Sequence, residues 1–190
     1  MPSPCVFLDR DGTLNEDVGY LDRLERLVLF PDSVDAVRLL KQAGYLVAVV
    51  TNQAGVAQGL FGEETVRAIH RHMAERFEAG RAPIDGFYYC PHLVDAPVAA
   101  YRRACDCRKP LPGLIRQAER DLGIDVARSF IVGDRWRDIE MGMTVGTRTV
   151  LVRTGYGRTE EAQPPPGITP DVIVDNMAQA AVWILQQNRR

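Results

Sequence analysis

Short unbroken apolar runs alternate along the chain with longer segments whose apolar positions recur every three or four residues. Residues 5–8 form the first run, which stops abruptly at Asp9-Arg10-Asp11-Gly12-Thr13, as a buried strand does where it feeds a polar loop. Residues 45–50, 87–89, 129–132, 149–152 and 172–174 read the same way. Between them, Val34, Val37, Leu40 and Ala43 make a helical stripe that Gly44 ends, and Val66, Ile69, Met73 and Phe77 make another that Gly80 and Pro83 end. Residues 111–122 closed by Gly123, a short segment through Ile139 and Met143, and a run at 178–185 complete the helices. This alternation predicts an α/β fold with a mostly parallel sheet covered on both faces. Ligands then collect beyond the carboxyl ends of the strands.

Four polar clusters stand at four of those ends. Asp9 and Asp11 follow the first strand; such a carboxylate pair can hold Mg²⁺, and one of them can attack phosphorus, though two aspartates also suit a plain capped turn. Thr51-Asn52 follows the second strand with a hydroxyl and an amide fit for phosphate oxygens, or for an ordinary cap. Arg108-Lys109-Pro110 sets a fork-shaped donor beside a point charge, suited to phosphate unless it is a solvated charge run. Gly133-Asp134 closes the fourth strand and offers a second carboxylate for a cation, while Asp138 either orients Lys109 or a water, or is simply an acid in a helix's first turn. Each cluster is weak alone; in this order they are what metal-assisted phosphoryl transfer requires.

Composition narrows the partners. The 190 residues suit one domain, 1–190, and 23 Lys+Arg against 25 Asp+Glu give a net charge of -2, without the basic excess of a nucleic-acid binder. No apolar stretch reaches the length of a membrane span, so a cytoplasmic protein acting on a small phosphorylated metabolite, without nucleic-acid or membrane partners and as a monomer, is expected. Cys90, His92, Cys105 and Cys107 give three thiolates and an imidazole in two Cys-X pairs, the donor set of a closed structural zinc site in a loop spanning 90–107. Cys5, inside the first apolar run, reads as a buried thiol. His70 and His72 lie two apart on a helix and read as surface residues, not a metal pair.

With these residues in view, the chain resembles the haloacid dehalogenase superfamily: Asp9-Arg10-Asp11-Gly12-Thr13 is similar to its first motif, Thr51 to its second, Lys109 to its third, and Gly133-Asp134 with Asp138 to its fourth. Within it, Phe7-Leu8-Asp9-Arg10-Asp11-Gly12-Thr13, Thr51-Asn52-Gln53, Cys90-Pro91-His92 and Cys105-Asp106-Cys107-Arg108-Lys109-Pro110 resemble the D-glycero-D-manno-heptose 1,7-bisphosphate phosphatases, with the histidinol-phosphate phosphatases next. The resemblance implies a three-layer Rossmann-like fold without a large cap domain, and Mg²⁺-dependent hydrolysis of a sugar bisphosphate to the 1-phosphate. It further implies that Asp9 forms an aspartyl-phosphate while Asp11 is acid and then base. Magnesium would be held by the side chains of Asp9 and Asp134 and the main-chain carbonyl of Asp11. Thr51 and Lys109 would bind the transferring phosphoryl group; Asn52 and Arg108 would touch substrate. Loop 15–30 and the zinc loop are expected to wall the site, with Arg102 and Arg103 either serving a second phosphate or solvated. A phosphomutase and a non-catalytic zinc-stabilised binding protein are the competing functions.

Overall fold

Six strands form one sheet in the computed structural model, which describes residues 2–187. The elements run β1 (Cys5–Leu8), α1 (Ser33–Gln42), β2 (Leu46–Asn52), α2 (Ala54–Ala57), α3 (Glu63–Ala79), β3 (Gly86–Cys90), α4 (Gly113–Leu122), β4 (Phe130–Gly133), α5 (Trp136–Val145), β5 (Arg148–Val152), α6 (Gly157–Glu161), β6 (Val172–Val174) and α7 (Met177–Gln187). Their order in the sheet is β3-β2-β1-β4-β5-β6, and every neighbouring pair is parallel.

The unbroken apolar runs follow from cover on both faces. Val6 and Leu8 join Val47, Val49, Val132, Val150 and Val152 in a core that also holds Leu40, Met73 and Ile184 from α1, α3 and α7. Cys5 and Phe7 point the other way, toward Ala48, Val50, Ile131 and the α4 residues Leu114 and Ile115. Each large side chain buried this way contributes about 3 kcal/mol or more, so the middle strands form a stiff platform. The chain turns from one wing of the sheet to the other between β1 and β4, which opens a crevice above their carboxyl ends. Leu8 lies beside both Val49 and Val132, so Asp9, Thr51 and Asp134 emerge at similar height.

Some boundaries differ from the expected ones. β2 runs on to Asn52, so Thr51 and Asn52 are strand residues fixed against Tyr89 and Cys90 on β3. α2 and α6 were not expected, being too short to show a period. His70 is buried, contrary to its surface assignment, because it lies four residues after Val66 and three before Met73 on the apolar stripe of α3. Cys5 is a buried free thiol.

The β1–α1 and β3–α4 connections hold only loops with single 3-10 turns, Leu24–Arg26 and Ala99–Tyr101, so no large cap covers the crevice. No helix among the described residues is long and apolar enough to cross a membrane. The expected domain spans 1–190; Met1 and residues 188–190 lie outside the described residues.

Candidate active site

The end of β1 is tied directly to β4, since the Asp9 N–H donates to the Val132 carbonyl at 2.9 Å. Asp9 Oδ1 accepts from the Arg10 N–H at 2.7 Å and lies 2.9 Å from Lys109 Nζ. Lys109 Nζ also meets Asp138 Oδ1 at 2.6 Å and donates to the Val50 carbonyl at 3.0 Å, so all three of its protons are directed. Burial works against the Lys109 charge, but Asp138 and Asp9 outweigh it and hold the pKa above its ordinary value. Asp138 therefore serves Lys109; its Oδ2 also accepts from the Arg135 N–H at 3.2 Å.

Asp134 faces Asp9 across the crevice. Its Oδ2 accepts from the Tyr156 N–H at 2.8 Å, while its buried Oδ1 has no hydrogen-bond partner among the described residues. Burial, then the negative charges of Asp9 and Asp138, push its pKa up to about 8. Gly12 and Gly155 make the room: both have positive φ, and a Cβ on either would overlap the Asp134 carboxylate. Asp9, Asp134 and Asp138 offer oxygens within 4.8 Å of one another. With Asp138 paired to Lys109, the orphaned oxygen of Asp134 and the Asp9 carboxylate form a hard, negative donor set that fits Mg²⁺.

The Asp11 carboxylate stands outside that trio. Arg10, fully buried, grips it with two hydrogen bonds, Nε to Oδ1 at 3.1 Å and NH2 to Oδ2 at 2.7 Å. Asn15 Nδ2 and Gln53 Nε2 add bonds of 2.9 and 3.0 Å. Burial alone would raise the Asp11 pKa, yet the Arg10 charge and these four bonds prevail and lower it. Gln53 also accepts from Arg10 at 3.0 Å and donates to Thr51 Oγ1 at 2.9 Å, which leaves the Thr51 proton free to point elsewhere. Behind them His70 Nε2 lies 3.3 Å from Arg10 NH1; burial, then the Arg10 charge, depress its pKa to about 3, so it is neutral and can accept. The sequence reading gave no role in the site to Arg10, Asn15 or Gln53, and it placed His70 at the surface.

Asp9, Asp11, Thr51, Asn52, Gln53 and Arg108 share one cavity of about 320 Å³. Loop 15–30 supplies Asp17, Gly19 and Tyr20 as one wall, as expected. Residues 90–107 do not line it; Arg135, Arg137 and Tyr156 from the β4 and β5 ends take that place. Arg102 turns instead to the carbonyls of Ala96 and Pro97, and Arg103 NH2 lies 2.6 Å from His92 Nε2, so neither reaches the cavity. Asn52 mainly braces Lys109: its Oδ1 accepts from the Lys109 N–H at 3.0 Å and its Nδ2 donates to the Lys109 carbonyl at 3.2 Å.

The Cys90, His92, Cys105 and Cys107 donor atoms also gather within 4.8 Å of one another. The three sulfurs are 3.1 to 3.6 Å apart and His92 Nδ1 is 3.4 Å from the Cys107 sulfur. Zinc–sulfur bonds of about 2.3 Å in a tetrahedron would set sulfurs about 3.8 Å apart, a small expansion of this cluster. Arg108 NH1 donates to the His92 carbonyl at 3.1 Å, which links the cluster to the active-site cavity.

Known proteins share this fold and much of this sequence. The HAD-hydrolase-like family model matches residues 106–180. The chain is 42% identical to the D-glycero-beta-D-manno-heptose-1,7-bisphosphate 7-phosphatase of Escherichia coli strain K12, over 98% of this chain and 96% of that one. It is 41% identical to the enzyme of the same name from Yersinia pestis, over 84% and 86% of the two chains. The crystal structure of D,D-heptose 1,7-bisphosphate phosphatase from B. bronchiseptica, complexed with magnesium and phosphate, superposes with a TM-score of 0.86 at 34% identity, covering 97% of this chain and 99% of that one. The fold is thus the haloacid dehalogenase fold, and the chain belongs to the haloacid dehalogenase-like hydrolases, in the family of the heptose-1,7-bisphosphate phosphatases.

Proposed function

We propose that this protein removes the 7-phosphate of D-glycero-β-D-manno-heptose 1,7-bisphosphate and leaves the 1-phosphate. The observation that carries the reading is Asp9 and Thr51 lining a cavity together with Arg108, Arg135 and Arg137, with Lys109 2.9 Å from Asp9 and Asp134 gathered beside it. A buried cluster prepared for phosphoryl transfer lies under a wall suited to further negative charge.

Asp9 attacks phosphorus as the bond to the sugar oxygen breaks, and Asp11 gives that oxygen a proton. In the second half, Asp11 takes a proton from water, whose oxygen attacks the aspartyl-phosphate and releases phosphate with Asp9 restored. Arg10 keeps Asp11 ionised in the free protein, so its protonation accompanies arrival of the anionic substrate. Lys109 offsets charge on the transferring group, and Thr51 donates the proton that its bond from Gln53 leaves free. Arg108 contacts the substrate, with Asn52 holding Lys109 in register. Mg²⁺, held by Asp9, Asp134 and the Asp11 carbonyl, would draw charge from the phosphoryl oxygens.

Zinc at Cys90, His92, Cys105 and Cys107 is structural. The open crevice, with no large cap to exclude water, favours a phosphatase over a phosphomutase. The chain 1–190 acts as one domain and as a monomer. Four free cysteines suit the cytoplasm.

A steady-state assay of phosphate release with magnesium tests the reading, using both anomers of heptose 1,7-bisphosphate, histidinol phosphate and fructose 1,6-bisphosphate. The β-heptose bisphosphate is expected to give the highest kcat/KM. A higher value for histidinol phosphate would reverse the assignment.

A further inference from the structure

Two of the three guanidinium groups that line the cavity are already engaged by the protein. Arg108 donates to the His92 carbonyl at 3.1 Å. Arg135 lies 3.5 Å over the Tyr156 ring and is 3.6 and 3.9 Å from carboxylate oxygens of Asp17 and Glu160. Arg137 differs: its Nε is buried without a hydrogen-bond partner, and among the described residues it forms no ion pair.

The fold gives no reason for a cation at this position. Arg137 is the second residue of α5, where free helix N–H groups favour negative charge. It also opposes the charge on nearby Lys109. The adjacent Asp138 is attractive, but that carboxylate is taken by Lys109 at 2.6 Å and by the Arg135 N–H at 3.2 Å. A buried donor left unpaired costs about 1–3 kcal/mol. Arg137 also lines the cavity and is partly exposed, so an entering anion would meet a guanidinium that no ion pair among the described residues neutralises.

Depth decides which anion. Asp9, Thr51 and Lys109 are buried at 4%, 1% and 3% exposure, whereas Arg108, Arg135 and Arg137 are each partly exposed. The transferred phosphoryl group belongs at the buried floor beside Asp9, and a second phosphate on the same molecule must then sit further out. We propose that Arg137 binds the phosphate that is not hydrolysed and thereby sets a preference for bisphosphate over monophosphate, a role that rests on the sugar-bisphosphate reading above.

The test compares kcat/KM for heptose 1,7-bisphosphate with that for heptose 7-phosphate in the parent, Arg137→Met and Arg137→Lys proteins. For Arg137→Met the ratio of the two values is expected to fall about 10- to 100-fold, the worth of a charged hydrogen bond. Arg137→Lys should restore part of it, since the point charge remains but the fork is lost. A parent ratio well above one that Arg137→Met retains would overturn the role of Arg137 alone. Equal losses on both substrates would also overturn it, by moving the contact to the transferred phosphate. A parent ratio near one would overturn the bisphosphate reading together with this role. The thermal midpoint of Arg137→Met should not fall; a drop of more than about 4 °C would mean that the side chain holds the fold and would likewise overturn the assignment.

Discussion

Asp9 and Asp134 stand at the ends of two neighbouring strands in the middle of the sheet, with Asp138 one helical turn beyond, whereas Cys90, His92, Cys105 and Cys107 hang on the connection from β3 to α4, which carries a single 3-10 turn. In the first cluster the scaffold forces like charges together. Burial, reinforced by Asp9 and Asp138, raises the Asp134 pKa from 3.8 to about 8, above its unfolded value, so without a cation folding loses stability as pH climbs through that interval. A cation there would relieve repulsion in a site already assembled by apolar packing. In the second cluster, few hydrogen bonds tie the middle of the segment to the rest of the fold, among them the Val98 N–H to the Ala57 carbonyl at 3.2 Å and the Tyr101 hydroxyl to Glu63 at 2.9 Å. Burial raises the Cys90 and Cys107 thiol pKa values, so thiolates there need a metal. One ion would do chemistry on a rigid frame; the other would supply the frame.

The contrast predicts separable losses. Asp9→Asn should lower kcat by about 10⁴-fold and leave the thermal midpoint near the parent value, because the strand ends are held by β-sheet pairing. A variant that unfolds, or turns over near the parent rate, would break the distinction. Cys107→Ser should do the reverse: zinc measured by elemental analysis falls below stoichiometric, and stability drops by about 3 kcal/mol or more, with activity lost less completely than in Asp9→Asn. Full zinc occupancy would count against the closed-site assignment.

His70 gives the smallest and most specific effect. Its folded pKa of about 3, lowered first by burial and then by Arg10, lies below the unfolded 6.5. Its contribution is therefore present above pH 6.5 and lost as pH falls toward 3. Thermal midpoints of His70→Asn should fall less steeply with acidification over that range, and kcat should drop only severalfold as Arg10 loses one acceptor. An unchanged acid slope would place the acid sensitivity elsewhere.

What the sequence revealed divides along similar lines. Strands buried on both faces announce themselves as apolar runs, and Asp9, Thr51 and Asp134 were legible because each follows closely on a run that must stop, whereas Lys109, in the loop between β3 and α4, was legible only from its place in Arg108-Lys109-Pro110. The gathering of Cys90, His92, Cys105 and Cys107 was legible from their spacing. Arg10 was hidden because an arginine in a polar loop ordinarily faces solvent, and only the folded chain shows it enclosed by Asp11, Gln53 and His70. His70 could have been found, since Val66, His70, Met73 and Phe77 share a helical face. The cavity wall was least legible. Tyr156 and Arg137 come to it from segments far from Tyr20 in the chain, and no local pattern encodes that meeting.

The central claim is that Asp9 becomes phosphorylated during turnover. The most direct measurement is acid quenching of the enzyme during turnover of heptose bisphosphate labelled at the 7-phosphate, followed by peptide mapping of the protein-bound label. Label confined to the peptide carrying Asp9, and absent from Asp9→Asn, is the predicted result; rapid phosphate release with no label on that peptide would contradict the account.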